Sequence, residues 1–266
     1  MIRLLQLSDC HLGATPEERI VGVQTERSLE AVLEAVQRHP FWPPAALLLT
    51  GDLVHRPALE TYRRLKRRLD RLGVPYMALP GNHDDPRLLW EVMPRREVFQ
   101  LGRWRIVGLS TFQPGSYGGI LTEKELALLE EELLGSLRPT LIALHHPPIP
   151  VSSPWMDLMG LANREALWRI LHRSDQVKAV VFGHIHQEFH RHRHGIDLWS
   201  APSTCFQFRP YSDRLIIDPE PPGWRWLVLH EEGVVTSQVG RLSELPEGLD
   251  LAYRSRSERS PMGGSP

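Results

Sequence analysis

Five short and nearly continuous apolar stretches fall at residues 2 to 7, 45 to 50, 75 to 79, 140 to 144 and 178 to 182. Runs of that length without polar alternation predict strands covered on both faces. Between them the period lengthens. Residues 24 to 38 (QTERSLEAVLEAVQR) put Leu29, Val32, Leu33 and Val36 on one stripe, and residues 58 to 72 (ALETYRRLKRRLDRL) do the same with Leu65, Leu69 and Leu72. Both predict amphipathic helices. Thr122 with Glu125 three residues on predicts a capping box opening LTEKELALLEEELL, and Asn163 is the expected N-cap of REALWRILHR. Strand and helix alternate, which predicts an α/β fold with right-handed crossovers and a largely parallel sheet.

From about residue 187 the texture changes to shorter alternating segments, EFHRHRHG, IDLWSAP, TCFQFRP, WRWLVLHEEG and VVTSQVGRL. These predict antiparallel strands turning at Gly195 and at Glu232 with Gly233, in a second sheet packed on the first. Residues 1 to 241 are expected to form one catalytic domain. Residues 242 to 266 (LSELPEGLDLAYRSRSERSPMGGSP) are poor in apolar side chains and are expected to be a mobile tail.

Composition narrows the function classes. The 266 residues carry 31 Lys plus Arg against 32 Asp plus Glu, a net charge of −1. That balance offers no global attraction for nucleic acid or an anionic membrane, so any phosphate specificity must be local. The start MIRLLQLSD is too short and too soon charged for a signal peptide, and no run approaches the roughly 20 apolar residues of a membrane span. Cys10 and Cys205 lie far apart with no CxxC partner, so neither a zinc knuckle nor a disulfide framework is expected. A reduced cytoplasm fits. Cys10, pointing away from its neighbours, is read as packing rather than as a redox sensor.

The chemistry sits where the apolar runs stop. IRLLQLSDCH, AALLLTGD, YMALPGNHD, TLIALHH and VKAVVFGHIH end in Asp9, His11, Asp52, Asn82, His83, His145, His146, His184 and His186. Functional groups of open α/β sheets collect outside the carboxyl ends of the strands, which is where all of these fall. Carboxylate and amide oxygens mixed with imidazole suit Mn, Fe or Zn better than Mg alone. Asp9 and His11 are two apart, as are His184 and His186, and strand alternation would send each pair to one side. A carboxylate such as Asp52 can bridge two cations about 3.5 to 4 Å apart. Of the adjacent His145 and His146, the one nearer the strand, His145, is preferred as a ligand.

In this order, DxH, GD, GNHD, HHPP and GHxH resemble the calcineurin-like metallophosphoesterases. The resemblance implies a four-layer α/β/β/α sandwich with a dinuclear site at the sheet ends. It implies one metal held by Asp9, His11, Asp52 and His186 and the other by Asp52, Asn82, His145 and His184. SSPWMDLMGLANREALWRIL, VVFGHIHQEFHRHRHGIDLWSAPSTCFQF and PPGWRWLVLHEEG are further similar to the class III bacterial 3′,5′-cyclic AMP phosphodiesterases, so the resemblance covers residues 2 to about 241. The chain departs from many relatives at His55, where they carry Asp.

The activity implied by the resemblance is hydrolysis of cyclic AMP to 5′-AMP, with two divalent ions, Fe or Mn, lowering the pKa of a water between them so that hydroxide attacks phosphorus. His83 is the expected general acid, with Asp84 holding its other nitrogen, and His11, Asp52, Asn82, His83 and His186 are expected to touch the substrate. Trp155, Phe206 and Phe208 are aromatic candidates for base contact, set against ordinary core packing. A monomer or a homodimer is expected. The rival readings are a broader phosphodiesterase acting on glycerophosphodiesters and a non-catalytic, metal-bound scaffold. HRHRH at 190 to 194 reads as a solvated strand edge, and RRLKRRLDR as the outer face of a helix.

Overall fold

The computed structural model describes residues 1 to 253. Two sheets lie face to face. In the first, the spatial order is Val235–Arg241, Gly223–Leu229, Ile2–Leu7, Ala46–Thr50 and Tyr76–Leu79; the last three are parallel and the first two antiparallel. In the second, Phe189–Arg193, Ile196–Ser200, Val177–Phe182, Thr140–Ala143, Trp104–Gly108 and Val98–Leu101 follow one another, with the four inner strands parallel.

Leu4, Leu48, Met77 and Leu79 of the first sheet meet Trp104, Ile106, Leu141, Ala179 and Val181 of the second in one buried layer. On the outer face of the first sheet Leu5, Leu7, Leu47 and Leu49 pack against Leu29, Val32 and Val36 of helix Thr25–Gln37 and against Tyr62, Leu65 and Leu69 of helix Leu59–Arg71. On the far face of the second, Val107, Ile142 and Val180 pack against Leu129 of helix Glu123–Leu134 and Leu167 of helix Arg164–Leu171. This is the four-layer α/β/β/α sandwich.

Several local expectations need correction. The five apolar runs do not share one sheet: three belong to the first and two to the second. Each sheet has a helix layer on one face and the other sheet on its opposite face, so all its inner strands read as continuous apolar runs and periodicity cannot sort them. Nor do all the later strands form the second sheet. Gly223–Leu229 and Val235–Arg241 return to pair with Ile2–Leu7. The hairpin Val98–Leu101 with Trp104–Gly108 is a further pair, carried by the alternation of VFQLGRWRIVG.

The capping box is half formed, since Thr122 accepts from the Glu125 N–H at 3.3 Å but the Glu125 carboxylate accepts from Ser110 N–H instead. Asn163 stands at the N-cap of helix Arg164–Leu171 as expected, but its side chain bonds Leu121 on both amide atoms and makes no capping hydrogen bond. Arg64 and Arg68 do more than solvate a helix face, because both pair with buried Glu26, and Arg64 also donates to the Gly13 and Ala14 carbonyls. That clamp fixes the loop after His11.

The segment expected to be mobile from residue 242 is docked as far as Tyr253. Leu249 and Tyr253 pack against Ile20, Val23, Cys205 and Phe206, and Asp250 N–H donates to Val21 O. The remainder of the expected tail lies outside the described residues. No helix among the described residues is long and apolar enough to cross a membrane.

Candidate metal centre

The strands that carry the predicted ligands stop short of them. Ile2–Leu7 ends two residues before Asp9, and Val177–Phe182 ends two before His184. Beyond those ends Asp9, His11, Asp52, His184 and His186 all take positive φ, between 44° and 70°. Side chains there strain the backbone by about 1 to 3 kcal/mol each, a cost that concentrates at functional sites. Strand alternation therefore named the right destination for Asp9 and His11 through the wrong geometry. For His184 and His186 it named the wrong arrangement: the two histidines divide between neighbouring groups.

Asp9, His11 and His186 bring ligand atoms within 4.8 Å of one another, as do His145, His146 and His184, and Asp9, Asp52 and His145. Asp52 lies between the imidazoles of both sides, with Oδ2 3.6 Å from His11 Nε2 and Oδ1 3.4 Å from His145 Nε2. Asn82 Oδ1 is 3.2 Å from His145 Nε2, and His186 Nε2 is 3.1 Å from His11 Nε2 and 3.5 Å from Asp9 Oδ1. Gly81 allows this convergence, because a Cβ there would sit 2.2 Å from Asp52 Oδ1 and 2.7 Å from His145 Nε2.

The donor set fits divalent cations on its own hydrogen bonding. His145 Nδ1 donates to Thr50 O and His186 Nδ1 to Phe206 O, each at 2.7 Å, which turns both Nε2 atoms toward the site. Two more buried nitrogens, His11 Nδ1 and His184 Nε2, have no hydrogen-bond partner. Burial drives His11 and His184 far below the usual imidazole range and His186 down to about 3, so all three present neutral rings. Burial also pushes Asp9 up to about 7, with Asp52 adding to the rise. Burial opposes ionisation of Asp52, yet His145, His83 and His11 hold it well below the carboxylate range. For His145 burial acts downward, and the Asp52 and Asp9 charges outweigh it to bring the ring up to about 9. Imidazole nitrogens and carboxylates thus crowd a buried space in which Asp9, His11, Asp52, His145, His184 and His186 could hold divalent ions, with Asn82 Oδ1 beside His145.

His146 shares the group of His145 and His184 but has both ring nitrogens engaged within the protein. Its Nδ1 meets Thr111 Oγ1 at 2.7 Å and its Nε2 meets Tyr117 O at 3.1 Å, leaving no free nitrogen. His145, by contrast, has its Nε2 beside Asp52 and Asn82.

His83 flanks the group, its ring 4.7 Å from that of His11. Its backbone N–H donates to Asp52 Oδ1 and its Nδ1 donates to His55 O, both at 2.9 Å. The expected Asp84 partner is a correction. Asp84 accepts instead from Gly81 N–H, Leu53 N–H, Val54 N–H and the Tyr62 hydroxyl, bracing the two ligand loops against each other. Those four donors saturate the buried carboxylate, whose pKa burial and nearby Asp52 raise to about 6. His55 takes the place expected of Asp84: its carbonyl fixes the His83 tautomer and its ring stacks on His83 at 5.0 Å. Tyr62 was missed by sequence reasoning, since a tyrosine on the buried stripe of an amphipathic helix looks like core.

The aromatic candidates are packing residues. Phe206 stacks on His11 at 5.5 Å, Phe208 stacks on His186 at 4.2 Å, and Trp155 meets the edge of Phe208. Cys10 is fully buried and its thiol is pushed up to about 12 by that burial, which leaves it inert. His190 and His192 remain exposed, both bonded to Asp197, as a solvated edge should be.

Residues 2–188 match the calcineurin-like phosphoesterase family. A 3′,5′-cyclic-nucleotide phosphodiesterase of Nostoc sp. is 39% identical over 248 residues, 91% of this chain and 92% of that one. A 3′,5′-cyclic adenosine monophosphate phosphodiesterase of Pseudomonas aeruginosa is 36% identical, covering 94% of this chain and 93% of its own. Among solved structures, a dimetal phosphatase from Danio rerio superposes with a TM-score of 0.63 at 14% identity, over 86% of this chain and 93% of that chain. At that identity the likeness shows the fold alone.

Proposed function

The chain belongs to the calcineurin-like phosphoesterase family, and from that premise we propose that it hydrolyses 3′,5′-cyclic AMP to 5′-AMP in the cytoplasm, with Fe or Mn as its two metals. The observation that carries the reading is Asp52, a single carboxylate set between His11 on one side and His145 on the other, with His83 on its flank. A cyclic nucleotide as substrate is supported by the names of both relatives, and cyclic AMP in particular by that of the Pseudomonas aeruginosa protein, which matches over nine-tenths of both chains.

Two divalent ions bound among these side chains would supply a water that ionises near neutral pH and a clamp for phosphate oxygens. The chain's own residues do the rest. His83 Nδ1 keeps its hydrogen on the His55 carbonyl, so Nε2 is the atom that gives a proton to the 3′ oxygen as its bond to phosphorus breaks. The proton released by the attacking water recharges the ring. Phe206 and Phe208 wall the His11 and His186 imidazoles and exclude bulk water from that side.

Purified protein loaded with Mn(II) or Fe(II) is expected to convert cyclic AMP to 5′-AMP and to stop on chelation, with activity restored by adding the metal back. Chromatography of the products against cyclic GMP, a glycerophosphodiester and a phosphomonoester makes the check. A clear preference for the glycerophosphodiester would replace the assignment with a broader phosphodiesterase, and no turnover of any ester would leave a scaffold.

A further inference from the structure

Tyr117 stands out among the exposed aromatic residues because it combines a free ring with a fixed backbone beside the site. Its side chain is 67% exposed, yet its ring centroid lies 6.3 Å from that of His83. The backbone beneath it is tied down. Tyr117 O accepts from buried His146 Nε2, Thr111 Oγ1 meets the other nitrogen of the same ring, Gly118 N–H donates to Ser116 Oγ, and Gly119 bridges to the chain at Leu161. Gly119 lets the loop lie on the His146 ring, since a Cβ there would come within 2.3 Å of His146 Nδ1. His146, with both ring nitrogens engaged by these bonds, thus anchors the loop to the floor of the site.

We propose that Tyr117 is the platform on which the nucleobase of the substrate stacks, and so a residue that sets the preference for nucleotides over other diesters. The inference rests on the cyclic-nucleotide reading and deepens it. A base hangs from the ribose whose 3′ oxygen receives the His83 proton, and Tyr117 is the exposed aromatic ring adjoining His83. Phe206 and Phe208 already lie against His11 and His186. A purine offers a broad π-face, and an exposed ring on a rigid loop loses little freedom when one settles on it.

The test isolates the base. Isothermal titration of the Mn(II)-loaded protein with 5′-AMP and with ribose 5-phosphate compares two ligands that share sugar and phosphate. Wild type is expected to favour 5′-AMP by about 10- to 100-fold, the range that base–aromatic stacking supplies. In Tyr117→Ala that ratio should collapse toward unity, and in Tyr117→Phe it should persist. In turnover, the Ala variant should lose affinity for cyclic AMP through KM more than through kcat, as expected for contacts remote from the reacting atoms. A ratio unchanged in Tyr117→Ala overturns the platform, and so does an equal loss in Tyr117→Phe, which would assign the effect to the hydroxyl. Failure of wild type to hydrolyse cyclic AMP overturns the functional reading instead, by a separate measurement.

Discussion

Asp52→Asn lowers kcat/KM for cyclic AMP by on the order of 10³-fold and reduces the bound metal from two ions per chain to one, as metal analysis of the dialysed protein will show. The side chain keeps its size and one oxygen, but it loses its charge and the second anionic oxygen that faces His145 or His11. Asparagine tolerates the positive φ of 51° at this position, so the fold should survive and the loss should be one of chemistry. The expected size comes from the charge stabilisation a dinuclear clamp supplies, several kcal/mol, at one factor of ten per 1.36 kcal/mol, so roughly a thousandfold. A variant that retained two ions and turned over within tenfold of wild type would remove Asp52 from the bridging position.

His83→Ala should fall by about 10² to 10⁴ in kcat while both ions stay bound. The imidazole contributes no atom to the metal groups proposed here. It loses its proton to the leaving oxygen, so a substrate with a leaving group stable as an anion, such as a nitrophenyl diester, should suffer far less from the substitution than cyclic AMP does. That contrast separates proton donation from mere positioning. The backbone N–H bond from residue 83 to Asp52 does not depend on the side chain and should survive in the variant. Equal losses on the two substrates would take the proton from another source.

Much of this site was legible in the sequence because strand ends are where an α/β fold gathers polar groups, and five apolar runs stop at Asp or His. The helices around Leu29 and Leu65 are readable from spacing and the candidate ligands from residue type at the run ends, whereas the division of those ligands between two ions is what the family resemblance implies. The hidden part was decided by tertiary contacts. The pattern of buried strands is the same in both sheets, so Leu141 and Leu48 could not be assigned to different layers although they meet across the core. The partner of His83 is a main-chain carbonyl of His55, which any residue at position 55 supplies, so neither the identity of His55 nor the adjacent Asp84 could reveal it. Asp84, next to the acid in sequence, faces the opposite way to satisfy three backbone N–H groups and Tyr62. Composition misleads over the docked stretch from Leu242 to Tyr253 because a few apolar side chains, Leu249 and Tyr253 among them, suffice when a cluster containing Phe206 is ready to receive them.

Electron paramagnetic resonance of wild-type protein loaded with two equivalents of Mn(II) tests the central claim most directly. Ions joined through Asp52 at the roughly 3.5 to 4 Å of a two-metal site interact magnetically, so the spectrum should show an exchange-coupled pair with a narrowed hyperfine pattern. That signal should give way to the six-line spectrum of isolated Mn(II) in Asp52→Asn. A wild-type spectrum of isolated ions at full loading would contradict the account.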